Sequence, residues 1–256
     1  MLRTILERIN RGVVLKRRLP AEFGSLALFV SPDASLKYWR QDLREADSAL
    51  LHTAKSLVGA GDVVWDVGAN IGLFSFASAG LVGKSGQILA IEPDPWLADL
   101  LRRSVDLNRD FDCTVDVLSV AVGGLMGVGV LNIAQRGRAT NFIAGHEPST
   151  QAGGVRSVVK VMTVTLNWLL DHWPAPSVVK MDVEGAEASV LRGVTRLLRD
   201  VRPSIMIEVS DANQVQATEI FKAAGYVLYD ADQNWPVCGQ VAQCAWNTIA
   251  LPAGAA

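Results

Sequence analysis

At 256 residues, half of them hydrophobic and 20% charged, the chain has ample apolar material for one sizeable core and is unlike a disordered segment. A formal net charge of −2 gives it no global attraction to nucleic acid or to an anionic membrane, so neither is an expected partner. The three cysteines (Cys113, Cys238, Cys244) have no C-x-x-C spacing, which points to reduced thiols and a cytoplasmic protein, and no apolar run approaches the ~18 residues of a membrane span.

In chain order, Leu2, Ile5, Leu6, Ile9 and Val13 recur at helical spacing between Arg3, Arg8 and Arg11. This predicts an amphipathic helix, ended by Pro20, that packs on the domain or on a second subunit of a homodimer; a substrate-facing cap and a membrane-surface contact are the other readings. GVVL before Lys16 is too short for the core of a signal peptide. Ser25 to Val30 suggests a strand, and Asp42 to Val58 one helix closed by Gly59 and Gly61. A strand from Asp62, a helix Leu73 to Leu81, a strand Gln87 to Ile91, a helix from Pro95 through Leu107 and a third strand Val115 to Val122 follow. Gly123 to Ile133 looks like a hairpin. Gln135 to Ser157, rich in Gly, Ser, Thr and Arg, reads as a mobile loop over an active site. Beyond it come a strand Val158 to Val164, a short helix Leu166 to His172, a fourth core strand Val178 to Val183, a helix Ala186 to Asp200, a fifth strand Ser204 to Val209 and a helix Gln214 to Ala224. Tyr226 to Asp230 and Ala245 to Leu251 have no helix between them and must pair antiparallel. The alternation implies an α/β fold with a mainly parallel sheet covered on both faces.

The most informative stretch is VVWDVGANIGLF, Val63 to Phe74. An apolar strand meets Asp66, then Gly68, Asn70 and Gly72, then a helix, which is where an α/β protein receives a nucleotide-like ligand. Glu92, twenty residues beyond Gly72, ends the second strand, where an acid can accept both hydroxyls of a ribose. The glycines read D-x-G-x-N-x-G and miss the dinucleotide spacing, so a site for an amino-acid-bearing nucleoside is expected in place of a pyrophosphate cradle. The plain alternatives are a turn in which Asp66 caps the helix and a Glu92 that is only a solvated strand end.

D-V-G-A-N-I-G followed by E-P resembles motifs one and two of the class I S-adenosylmethionine-dependent methyltransferases. VVKMDVEGAEASVLRGVTRLLRDVRPSIMIEV, Val178 to Val209, is similar to the signature of the FkbM branch, whose members mostly methylate hydroxyl oxygens. The resemblance spans roughly residues 61–209. It implies a Rossmann-like class I methyltransferase fold with a mainly parallel seven-stranded sheet and an antiparallel C-terminal strand, a catalytic domain over residues 59–256, and an N-terminal extension over 1–58 that serves as substrate cap or dimer contact. It further implies S-adenosyl-L-methionine as cofactor and a hydroxylated small metabolite, sugar or glycolipid-like acceptor. Asp66 would hold the cofactor's ammonium directly or through water, Asn70 would support the turn or touch the carboxylate, and Gly68 and Gly72 would admit the ligand. Glu92 would hold the ribose, and Ala121 and Val122 would flank the adenine or simply be core.

Asp182 and Glu184 follow the fourth strand at the carboxyl edge of the sheet, and buried carboxylates need a partner, which the cofactor's sulfonium can supply. An alcohol acceptor must lose its proton, so a base or a metal is required. Asp182, Glu184, Glu208 and His146 are the catalytic candidates, and Asp182 with Glu208 could share magnesium, which the resemblance does not promise. Lys180 has strand parity with Asp182 and can pair with an acid. Glu187 reads as a cap, and His52 and His172 as structural. Where the family pattern has T-L-D, this chain has Thr165-Leu166-Asn167, in which Asn167 can still cap the helix. N-methylation, a nucleotide-dependent oxidoreductase and a non-catalytic cofactor-binding subunit are the rival functions.

Overall fold

The computed structural model describes residues 10–145 and 151–254. The chain enters through β1 (Leu15–Arg18), antiparallel to β2 (Ala27–Val30). Most of the expected N-terminal helix therefore lies outside the described residues, and what is described after it is a turn and a strand. The single helix expected over residues 42–58 is two, α1 (Leu43–Ala46) and α2 (Ser48–Leu57), because Asp47 leaves the helical region and its carboxylate caps the Leu50 amide.

The main sheet is built from β3 (Val63–Val67), β4 (Gln87–Ile91) and β5 (Thr114–Leu118), with α3 (Leu73–Val82) and α4 (Pro95–Leu107) as crossovers. The predicted third strand splits after β5: Ala121–Val122 forms β6, which leaves the main sheet for a smaller one. There β7 (Gly127–Ala134) pairs antiparallel with β9 (Val155–Val164), from Gly127 opposite Thr163 to Ala134 opposite Val155. Residues 123–133 are thus one arm of a long hairpin and not a hairpin in themselves. The connection between the arms, expected as loop, contains a 3-10 turn (Arg138–Thr140) and β8 (Phe142–Ile143), which pairs with β7.

After α5 (Leu166–Leu169), the chain returns to the main sheet as β10 (Val178–Met181). The long helix expected over 186–200 stops at Gly193: α6 covers Glu187–Arg192, and a π-helical turn covers Leu197–Val201. β11 (Ser204–Glu208), α7 (Gln214–Ala223), β12 (Tyr226–Asp230), β13 (Gln240–Val241) and β14 (Asn247–Pro252) complete it. The strand order is β13-β12-β14-β11-β10-β3-β4-β5. The parallel centre runs β11-β10-β3-β4-β5, and β14 returns antiparallel between β11 and β12. This is the expected class I arrangement, with β13 as an eighth, two-residue strand at the edge.

Strand alternation explains the layers. In β3, Val64 joins the core on one face with Phe74, Phe76 and Leu100, while Trp65 and Val67 join the other with Leu166, Val190 and Ile205. All four residues of β10 are buried, as a central parallel strand covered on both faces requires. Phe23, Leu28 and Val30 of the N-terminal segment belong to the same core cluster as Val64. Among the described residues no helix is long and apolar enough to cross a membrane.

Candidate functional site

The carboxyl ends of β3, β4, β10 and β11 converge on one edge. The Gly68 and Ala69 amides both donate to the Ile91 carbonyl at 2.9 Å, the Asp182 amide donates to Val67 at 2.9 Å, and the Glu92 amide to Leu118 at 3.0 Å. Gly68 has φ +74°, and a Cβ there would overlap the Asp182 carbonyl oxygen. The glycine is thus demanded first by contact between two loops. Gly72, at φ +86°, opens α3, and its missing Cβ makes room for Leu101 and Phe76. The space its Cβ would take is filled by core side chains, and Gly72 lines neither cavity described below.

A narrow cleft runs over this edge between Gly68, Asn70, Glu92 and Ala121–Val122 on one side and Arg138, Asn141 and Phe142 on the other, with Asp182 and Glu184 at one end. Glu92 is 5% exposed; Oε2 accepts the Asn70 amide and Oε1 the Asp94 amide, each at 2.8 Å. Burial pushes its pKa up to about 8 against those two donors. Each oxygen keeps a further lone pair for a ligand hydroxyl. Asn70 sits at φ +54°, and its Oδ1 is buried with no partner, a state costing roughly 1–3 kcal/mol.

The described parts of the expected mobile loop are anchored over this cleft. Arg138 donates to Asp33 (3.0 Å) and Asp94 (2.5 Å) and lies over the Trp96 ring, while Arg156 grips both oxygens of Asp33 at 2.9 Å. Asn141 adds a bond to Asp94 at 2.8 Å. His146 lies outside the described residues.

On the other side of Asn70, Ala139, Asp182 and Glu184, which it shares with the cleft, opens a second cavity of about 390 Å³. Lys37, Tyr38 and Asp47 supply one wall, Lys180 and Glu208 the floor, and Asp232, Trp246 and Asn247 another wall. Lys180 is the centre of the electrostatics. Its Nζ donates to the Gly68 carbonyl at 2.8 Å and lies 3.5 Å from Asp66 and 3.7 Å from Asp182. Burial opposes its charge, but Asp66, Asp182 and Glu208 outweigh that and hold its pKa above the ordinary lysine value.

Asp66 is fully buried, accepts from Ser75 Oγ at 2.5 Å and lines neither cavity. The cation beside it among the described residues is the Lys180 ammonium, 3.5 Å away. Around Asp182, burial raises the carboxyl pKa and Lys180 opposes the rise. Glu184, at φ +44°, is pushed up to about 9 by burial and then by the charges of Asp182, Glu208 and Glu187. Glu208 is raised to about 7, mainly by the Asp182 charge and then by burial. Among the described residues no group of three or more His, Cys, Asp or Glu could hold a metal ion. The positive charge beside Asp182 comes from Lys180.

Glu187 braces the turn, accepting from the Gly185 amide (2.6 Å), Ser210 (2.9 Å) and Asn213 (2.6 Å). In T-L-N the cap is Thr165, bonded to the Trp168 amide, and Asn167 reaches the Leu197 amide from inside the helix; its expected capping role is corrected. His52 bonds the Trp235 carbonyl and His172 stacks on Trp168; neither lines a cavity described here. Lys37, Tyr38, Asp47, Asp232, Trp246 and Asn247 went unread in the sequence. The last had one signal: an antiparallel final strand sets its first residue at this edge, and Asn247 pairs with Glu208.

The family model described as "Methyltransferase FkbM domain" matches residues 66–228. The hexuronic acid methyltransferase AglP of Haloferax volcanii is 29% identical over 150 residues, covering 58% of this chain and 56% of that protein. The chain thus spans about half the length of that relative. Among solved structures, a methyltransferase FkbM of Methylobacillus flagellatus aligns over 81% of this chain and 53% of its own, at 14% identity and a TM-score of 0.48. A precorrin-6y C5,15-methyltransferase of Geobacter metallireducens aligns over 81% and 88%, at 15% identity and a TM-score of 0.46.

Proposed function

We propose that this chain, which belongs to the FkbM methyltransferase family, uses S-adenosyl-L-methionine to methylate a hydroxyl of a small metabolite or sugar acceptor. The observation that carries the reading is the pair of cavities meeting at Asn70, Asp182 and Glu184. The cleft fits the cofactor by its donor set. Glu92 has free acceptor sites for ribose hydroxyls, the Asn70 Oδ1 lacks a donor, and Ala121 and Val122 offer an apolar wall. When bound there, the cofactor supplies a sulfonium-activated methyl group.

The second cavity is of a size for a small acceptor, with two carboxyl groups, Asp182 and Glu184, at its meeting point with the cleft and a third, Glu208, in its own lining. Asp182 takes the acceptor's proton, Glu184 and Glu208 tune it, and Lys180 keeps Asp182 oriented. Alignment of the acceptor oxygen supplies much of the acceleration in such a displacement. That the relative from Haloferax volcanii is a hexuronic acid methyltransferase favours an oxygen of a sugar over an amine, since a hexuronic acid offers only oxygens. Labelled-methyl uptake from S-adenosylmethionine over a panel of hydroxylated and amino acceptors, with mass analysis of the product, tests it. A product methylated only on nitrogen overturns the oxygen assignment.

Above about pH 8, where Glu92 is ionised, Glu92→Ala is expected to weaken S-adenosylmethionine by about ten- to a hundredfold, since charge-assisted bonds of this type contribute roughly 1.5–3 kcal/mol. Calorimetry with the folded variant checks it, and unchanged affinity removes Glu92 from the ribose. Gly68→Val is expected to abolish cofactor binding, because the side chain forces the Asp182 turn away from the cleft. Normal binding by the purified variant would mean that this turn does not form the cradle.

A further inference from the structure

The second cavity has walls of one electrostatic kind. Two cations line it, and both are committed: Lys37 lies 2.5 Å from Asp47, and Lys180 is held between Asp66 and Asp182. Glu184, Glu208 and Asp232 on the same walls have no ammonium or guanidinium ion-paired to them among the described residues. Once Glu208 and Glu184 have lost their protons, above about 7 and about 9, an entering carboxylate therefore meets like charge, and among the described residues no unpaired cation lines the cavity to receive it.

The same cavity carries an aromatic side chain. Trp246 is 50% exposed on the cavity wall, although large apolar side chains in this fold are mostly buried. Next to it, Asn247 Nδ2 donates to both oxygens of Asp232 at 3.0 Å, which fixes the two side chains as one planar polar unit. β14 pairing sets Asn247 beside Glu208. An indole face beside a rigid amide–carboxylate pair suits a ring with C–H bonds on its face and hydroxyls around its rim.

We infer that the acceptor enters this cavity as an uncharged polyol ring, one face on Trp246 and its hydroxyls on Glu208, Asp232 and Asn247, and that the same walls turn away rings bearing a carboxylate. The inference rests on the reading of this cavity as the acceptor site and deepens it to a substrate class. It also assigns specificity to Asp232, Trp246 and Asn247, which lie outside every sequence motif. Selection here is by repulsion as much as by contact, since the acids that receive hydroxyls are the groups that reject an anion.

The test is binding, so that it does not depend on turnover. The full chain, loaded with S-adenosylhomocysteine, is titrated by ligand-observed NMR with three matched probes: a methyl glucopyranoside, the corresponding methyl glucuronopyranoside and the corresponding 2-amino glycoside. The neutral glycoside is expected to bind, and the glucuronoside to bind about tenfold or more weakly at low salt and at a pH of about 9, where Glu208 has lost its proton and Glu184 is losing it. That gap should narrow in about 0.5 M salt, where screening is short-ranged, and in Asp232→Asn. Trp246→Ala is expected to weaken the neutral glycoside about tenfold, with Trp246→Phe recovering most of the loss.

Equal or tighter binding of the glucuronoside overturns the inference, as does tighter binding of the amino glycoside or no binding by any of the three. Calorimetry with S-adenosylmethionine on the same preparation separates the two levels. Loss of cofactor binding sinks the methyltransfer reading, whereas normal cofactor binding with the reversed sugar preference sinks only the acceptor class.

Discussion

Asp182→Asn is expected to lower turnover at least about a hundredfold, within the ~10²–10⁴ range for losing a general base, while S-adenosylmethionine affinity falls far less. Asp182 is, with Glu184, one of two carboxylates common to both cavities, and its side chain is 27% exposed, enough to be reached and too little to be freely hydrated. Asn keeps the volume and removes the proton acceptor. The substitution also removes the largest cause of the raised Glu208 pKa, so Glu208 is expected to titrate below about 7 in the variant, which carboxyl-labelled NMR can follow. Turnover of the unaltered protein should rise with pH, because the base works only after losing its proton.

Stability should move the other way. Glu184 and Glu208 hold protons in the folded chain up to about 9 and about 7, above their ordinary range. Their contribution is complete at low pH and is lost as pH rises through those values. Turnover is expected to be indifferent to a chelator, since Lys180 supplies the cation beside Asp182. Chelator-sensitive activity restored by magnesium would replace the base with a metal. Near-normal turnover in both Asp182→Asn and Glu208→Gln would move proton abstraction to Glu184 or His146.

The parts of this molecule legible in its sequence are those fixed by local pattern. β3 is apolar but for Asp66, β10 is apolar but for Lys180, and D-V-G-A-N-I-G and E-P mark two strand ends, so the parallel centre and the cleft could be read directly. The antiparallel return of β14 followed from the absence of a crossover helix. Breaks inside helices were hidden, because Asp47 and Gly193 sit in runs whose apolar spacing continues past them. Each arm of the β7–β9 hairpin had a strand-like pattern, but their pairing was hidden because the partners lie across a segment rich in glycine and serine. The acceptor-side walls were illegible for a different reason. Lys37, Asp232 and Trp246 come from the two ends of the chain, and nothing local in their surroundings says that they meet. Asp66 was legible as an important acid, but its partner could be named only once β10 was laid beside β3, opposing Lys180 to Asp66.

Lys180→Met is expected to cost about 3–5 kcal/mol of folding stability, the usual penalty for removing one partner of a buried ion pair. Set against a total of roughly 5–15 kcal/mol for a domain, that is a large fraction. Asp66 would be left fully buried with only Ser75 as donor, the Gly68 carbonyl would lose its bond, and Asp182 would lose its counter-charge. Urea denaturation followed by circular dichroism measures the loss. The deficit should shrink on acidification, because protons then neutralise the carboxylates that Lys180 had balanced. The double variant Asp66→Asn/Lys180→Met separates a charge effect from a packing effect: it carries one fewer unpaired buried charge and is expected to recover stability relative to the single variant. A loss under about 1 kcal/mol in Lys180→Met, or a double variant no better than the single, would mean that the ammonium is not what holds Asp66 and Asp182 together. If the loss is as expected, catalytic geometry and fold stability share one residue here. The lysine that makes Asp66 tolerable in the core is the one that orients Asp182 at the meeting point of the two cavities, so a variant that repairs the core without it should fold and still fail to turn over.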